Sequence, residues 1–136
     1  MFEKMNEITL SGEVYPLRCD MVVLEQIQDA YGTVEVFEER LLPYKKRRGE
    51  DGDVVLDADG DPVYDSKIPD IGVVNRALEL FVREGLEIQG KKLEDSKTLL
   101  RKVDIACTPL ALLLHGEFMR CFELKNAQTP EKTTEE

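Results

Sequence analysis

Few residues in this chain are of a type that could do covalent or metal chemistry. His115 is the only histidine, and the three cysteines are Cys19, Cys107 and Cys121. A metal site or a charge-relay triad needs partners at fixed spacing, and no second histidine or carboxylate pattern accompanies His115. Cys121 lies six residues further along the same predicted helix, so the two side chains point in different directions. An odd number of widely spaced cysteines without CxxC predicts reduced thiols rather than a disulfide framework. Asp57, Asp59 and Asp61 have the one-three-five spacing of an EF-hand loop. The sixth position, which needs glycine for the sharp turn, is Pro62, and the twelfth, which needs a bidentate Glu, is Ile68. There is no Gly-rich phosphate loop and no GxSxG turn. The sequence therefore predicts no catalytic residue, no cofactor and no metal ligand, and reads as non-enzymatic.

Composition narrows the classes further. The 136 residues are 42% hydrophobic and 34% charged, with a formal net charge of −10. That balance suits one globular domain rather than a nucleic-acid binder, because phosphate contacts need a positive surface. The basic run Lys45-Lys46-Arg47-Arg48 is the exception, but acids follow immediately downstream and compete for it. Between Met1 and Pro43 there are nine acids and three bases, and between Pro69 and Leu124 nine acids and eight bases, so the acidity is concentrated at the N-terminal end. No segment approaches the roughly 20 apolar residues of a membrane span. The start, Met1-Phe2-Glu3-Lys4, lacks the pattern of a signal peptide.

The elements that must position any site begin with a hairpin. Ser11-Gly12 separates two strand-favouring runs, which predicts pairs Leu10–Glu13, Thr9–Val14 and Ile8–Tyr15. Ile8, Leu10, Tyr15 and Leu17 then share one face, and Pro16 faces away from its partner strand. Asp20 and Gly32 cap a helix with Val23, Leu24, Ile27, Ala30 and Tyr31 on its apolar side, the expected lid on the hairpin. Thr33 caps a second helix through Val36, Phe37, Arg40 and Leu41, stopped by Pro43.

This arrangement resembles the tail assembly chaperones of long-tailed bacteriophages and prophages. The likeness is carried by the hairpin ending Tyr15-Pro16-Leu17-Arg18, then Asp20, then the helix VVLEQIQDAYG, then the second capped helix after Gly32. Cys19 stands where a larger apolar residue is expected, and residues 44–67 look like an insertion. The resemblance implies a protein of the bacterial host cytoplasm that binds the tape measure protein and keeps it soluble before tail tube polymerisation. The tail tube protein and a second copy of the chain are the further candidate partners, with no nucleic acid and no membrane. A structural tail component, such as a connector or terminator subunit retained in the virion, is the alternative.

Within the insertion, residues 53–56 and 62–64 read as a second, exposed hairpin around the acidic tip 57–61. From Pro69 the chain turns helical. Asp70 caps a helix to about Glu84, with Gly85 near its end, a stripe of Ile71, Val74, Leu78, Phe81 and Val82, and a wet face of Arg76, Glu79 and Arg83. Lys92 to Val103 reads as a short amphipathic helix. Thr108 and Pro109 open the last helix, Leu110 to Leu124, whose stripe is Leu110, Leu114, Phe118, Cys121 and Phe122. Residues 125–136 lack apolar periodicity and are expected to be disordered. The predicted class is α+β, a mainly helical domain over residues 1–124 with an N-terminal hairpin and an appended second one.

Val73 and Leu80, and Leu112 and Met119, lie seven residues apart on second faces of their helices. Either these residues pack under another element or they meet a partner, and they are the predicted partner-binding residues. Replacing Leu112 and Met119 by Ser is expected to weaken partner binding while thermal melting stays cooperative; collapse of the fold would place both in the core.

Overall fold

Pairing in the N-terminal hairpin follows from its turn. Ser11 and Gly12 both have positive φ, 50° and 82°, the two left-handed residues that a type I′ turn requires. Strands β1 (Asn6–Leu10) and β2 (Glu13–Leu17) accordingly pair in the expected register, with Leu10 opposite Glu13 and Ile8 opposite Tyr15. Ile8, Leu10, Tyr15 and Leu17 are buried on one face while Val14 is exposed on the other. The computed structural model describes residues 4–134, with side chains described through residue 122.

Among the described residues five helices follow, in an α+β domain. Helix α1 (Met21–Tyr31) is capped by Asp20, whose carboxylate accepts from the Val23 N–H, and stops at Gly32 with φ 88°. Helix α2 (Val34–Leu41) is capped by the Thr33 hydroxyl, and α3 (Ile71–Ile88) by Asp70. Helix α4 (Ser96–Arg101) is shorter than the periodicity of residues 92–103 suggests, because Asp95 caps it late. Helix α5 (Cys107–Thr134) begins two residues before Pro109, with the Leu110 N–H bonded to the Ala106 carbonyl, so Thr108 lies inside the helix rather than at its cap.

The backbone of α5 also continues past Leu124 to Thr134, where a disordered tail was expected. Lys125, Ala127, Gln128, Glu131 and Lys132 are good helix formers, and extending a formed helix adds a hydrogen bond for each residue except Pro130, which has no N–H to give. Apolar periodicity misses such a segment, since periodicity reports only a helix face turned to a core. The remaining tail residues, 135 and 136, lie outside the described residues.

The centre of the molecule is α3. Ten of its residues are buried, including the unbroken run Ala77 to Val82, and β2, α5, α2, α1 and α4 all pack on it. This corrects three expectations. The hairpin is covered by α3, against which β2 lies, while α1 packs chiefly on α2; Ala30 is exposed. Glu79, expected on the wet face, is buried and ion-paired with Arg76. Gly85 does not end the helix: a Cβ there would stand 2.9 Å from the Pro16 Cβ and 3.0 Å from the Pro16 carbonyl carbon, so glycine lets strand and helix touch. The stop is made by Gly90 at φ 78°, with Lys91 N–H bonded to the Leu86 carbonyl and Gly90 N–H to that of Glu87, a Schellman motif.

The insertion forms an arm of three runs, where a simple hairpin was expected. Its root is β3 (Tyr44–Lys46) paired antiparallel with β4 (Tyr64–Ser66). Beyond the root, bridges join Arg48 to Val54 and Leu56 to Pro62. Arg47 N–H donates to the Val63 carbonyl, Val63 N–H to Val55, and Val55 N–H to Arg47, closing a ring of three backbone bonds. Two turns project from that ring, at 49–52 and 57–60. The expected pairing of residues 54–56 with 62–64 is thus one of three, and the alternation of short runs alone does not reveal the third.

Gly85→Ala weighs two opposed effects. Alanine is favoured over glycine in a helix interior by up to about 1 kcal/mol, whereas overpacking against Pro16 costs about 1–3 kcal/mol. The approach to backbone cannot be relieved by a rotamer, so the variant is expected to lose stability on urea denaturation. A gain would show that the contact gives way freely.

Candidate functional site

Two polar ties on α5 set the positions of the elements around the site. Glu117 is buried, and its carboxylate accepts from Asn6 Nδ2 at 2.6 Å, from the Cys19 N–H at 2.8 Å and from Arg120 Nη2 at 2.7 Å. Arg120 also donates to the Cys19 carbonyl at 3.0 Å. Two residues before Glu117, His115 Nε2 lies 2.8 Å from Glu38 Oε2 on α2. This carboxylate partner is 77 positions away in the chain, so no local spacing could have announced it. The pair serves as a clamp between α5 and α2, reinforced by Phe118 against Phe37 at 5.6 Å between ring centres.

A third tie fixes the root of the arm. Arg40 on α2 donates through Nε and Nη2 to the Asp70 carboxylate at 2.9 and 2.5 Å, and the guanidinium holds Asp70 below the usual carboxylate range. The Asp70 N–H returns to the Arg40 carbonyl, and the Lys67 N–H to that of Pro43. Both strands of the arm therefore leave the domain from a braced point beside α2.

Between α2 and the arm lies an open groove of about 820 Å³. Val36, Leu42, Tyr44 and Tyr64 give it apolar surface, Glu35, Glu38 and Glu39 line it from α2, and Lys45, Lys46, Arg47 and Arg48 line it from the arm. Val36, Tyr44 and Tyr64 are 38%, 36% and 49% exposed, respectively. The two tyrosines meet edge to face at 5.3 Å, an arrangement that suits aromatic quadrupoles and stiffens the root. Arg47 is paired with Asp65 at 2.7 Å, and Arg48 donates to the Gly52 carbonyl.

The predicted partner-binding residues fall in different places. Val73 and Leu80 are in the core, 1% and 9% exposed, because other elements of the domain pack over most of α3; they are not available to a partner. Leu112 is 46% exposed, beside Leu113 at 39%, and Met119 is half-buried against the core. The structure does not bring the four together. The groove residues Val36, Tyr44 and Tyr64 were not among the predicted sites. A tyrosine near each end of the insertion is the available signal; Val36 gives none, because it shares helical spacing with Phe37, Arg40 and Leu41.

The remaining chemical candidates are structural. Asp57 Oδ1 accepts from the N–H groups of Asp59 and Asp61 at 2.9 and 3.0 Å, so the acidic triplet builds a turn. Among the described residues no group of three or more side chains is placed to hold a metal ion. The cysteines are free, and burial pushes the Cys19 thiol well above its ordinary value, which keeps it unreactive. No helix is long and apolar enough to cross a membrane, among the described residues.

Comparison with known proteins yields no match to any family model, to any curated protein or to any solved structure.

One titration follows from the packing of α1 on α3. A hydrogen bond with Asp20, then partial burial and the charges of Asp20 and Glu87, push the Glu84 carboxyl from 4.5 to about 7. A folded-state value above the unfolded one stabilises fully below pH 4.5 and is lost as the pH rises through about 7. Part of the wild-type loss of stability between pH 5 and 8 is therefore expected to vanish in Glu84→Gln, as measured by denaturation midpoints across that range. Parallel profiles for the two proteins would remove Glu84 from the account.

Proposed function

We propose that this protein is a non-enzymatic tail assembly chaperone that covers apolar segments of a phage tape measure protein before the tail tube polymerises. The observation that carries the reading is the groove between α2 and the arm. It leaves an aliphatic and two aromatic side chains in water on a braced framework, which costs the isolated protein solvation and suits a surface awaiting a partner. The likeness of the first forty residues to the chaperone family supplies the identity of that partner. Covering each 100 Å² of apolar surface contributes roughly 2.5 kcal/mol before the costs of ordering, so binding through a groove this size is reversible.

The test is tagged capture from an induced lysogen lysate, with purified particles analysed alongside. The expected result is the tape measure protein in the capture and this chain missing from particles. A fixed stoichiometry in particles would instead make it a connector or terminator subunit. Val36→Ser combined with Tyr64→Ser is expected to reduce the tape measure protein captured by roughly tenfold or more, the scale of losing an aromatic anchor, with cooperative melting retained.

A further inference from the structure

The two walls of the groove carry opposite charge, and this property bears on what it can hold. Glu35 and Glu39 stand on the α2 side and Lys45 and Lys46 on the arm side, all lining the same groove. Among the described residues no ion pair holds Glu35, Glu39, Lys45 or Lys46 in the way that Asp65 holds Arg47, although Lys45 lies in the field of Asp65, which lines the arm side of the groove as well. Apolar side chains lie in the same groove. The root of the arm is tied to α2 by the Arg40–Asp70 ion pair and the Asp70 N–H on the Arg40 carbonyl, and its two ends are tied together by the Lys67 N–H on the Pro43 carbonyl.

We propose that this groove takes an amphipathic partner helix bearing one apolar ridge, basic side chains on the flank facing α2 and acidic side chains on the flank facing the arm. The proposal deepens the chaperone reading and rests on it for the expectation that the partner is helical. Charge complementarity selects the flanks. An extended strand is the poorer occupant, because β3 offers an edge of only three residues and a strand held by so few backbone bonds is marginal. A helix instead binds through side chains at i, i+3, i+4 and i+7, the spacing of an apolar ridge.

Opposite walls also fix direction. Turning a helix end for end in the groove, with its ridge still down, exchanges its left and right flanks. A helix with one handedness of charge therefore lies one way along α2, and its flank-exchanged counterpart lies the other way. A groove with walls of one sign would have no such preference. The partner segment is thus read for the arrangement of its charges, beyond its apolarity.

The probes are three stapled helical peptides of about 21 residues, an arbitrary length of roughly six turns, equal in composition and helicity. All carry Leu at heptad positions a and d. The first has Glu at e and b with Lys at g and c, the second has these flanks exchanged, and the third has the same charges scrambled. Fluorescence anisotropy on the full chain gives affinities, and a nitroxide at the peptide N-terminus reports direction through broadening of NMR signals near Val34 or near Leu42. The first two peptides are expected to bind roughly tenfold tighter than the third at low salt, as several half-exposed ion pairs would give. That advantage is expected to shrink in salt, and the two peptides to lie in opposite directions. Lys45→Glu with Lys46→Glu is expected to abolish the advantage, and Glu35→Gln with Glu39→Gln to reduce it. Equal affinity for all three peptides, or one common direction, overturns the proposal. Discriminated peptides with no tape measure protein captured would overturn the chaperone reading and leave the groove's selectivity standing; capture without discrimination would do the reverse.

Discussion

A buried carboxylate joins the beginning of this fold to its end. Glu117 sits almost out of water, its side chain 1% exposed, and such a charge survives only if it is paired and its lone pairs are satisfied. Arg120 supplies the countercharge from one turn along α5, Asn6 a donor from β1, and the Cys19 backbone a donor from the link between β2 and α1. Three pieces of chain are thereby held in one geometry. The small Cys19 side chain fits this point: it is buried, and its N–H and C=O are both engaged with the Glu117–Arg120 pair.

The second constraint is the closeness of β2 and α3. Glycine at 85 and proline at 16 are each poor choices for the interior of a helix and a strand taken alone. Together they let backbone meet backbone, and the Arg18 N–H reaches the Phe81 carbonyl just beyond. Hairpin and central helix act as one unit, around which α1, α2, α4 and α5 pack. The hairpin tip is secured separately, by the Ser11 hydroxyl on the Lys102 carbonyl and by Lys102 Nζ between Glu13 and Glu94. The carboxylates of Glu94 and Glu13 hold that ammonium above its usual range.

Against this rigid body the arm is a deliberate exception. Its apolar residues are few and half-exposed, and its closure depends on a ring of backbone bonds and on turns capped by Asp51 and Asp57. Its bases gather at the root and most of its acids in the turns, Asp65 at the root being paired with Arg47. Because the root is braced at α2 and α3, the basic segment faces the acids of α2 across a gap. Apolar side chains between walls of opposite sign offer a segment of matching charge both contact and complementarity, which is the physical content of the functional reading.

What the sequence determined by itself were the features set by near neighbours. The type I′ turn, the strand register, the caps at Asp20, Thr33 and Asp70 and the stop at Gly32 each follow from a residue type and its next few companions. The apolar stripes of α1, α2 and α5 were largely legible because one face of each helix meets the core, although Ala30 and Val36 are exposed. Only the tertiary structure decided the rest, since it depends on residues far apart in the chain. Val73 and Leu80 could equally have faced a partner until α3 was seen to run through the centre. Gly85 could equally have been a stop until Pro16 was placed against it. His115 and Glu38 are a clamp solely because α5 crosses α2, and the groove exists solely because an insertion folds back beside the helix that precedes it. Periodicity records that a face is apolar; which surface covers it, or whether any does, is settled by packing.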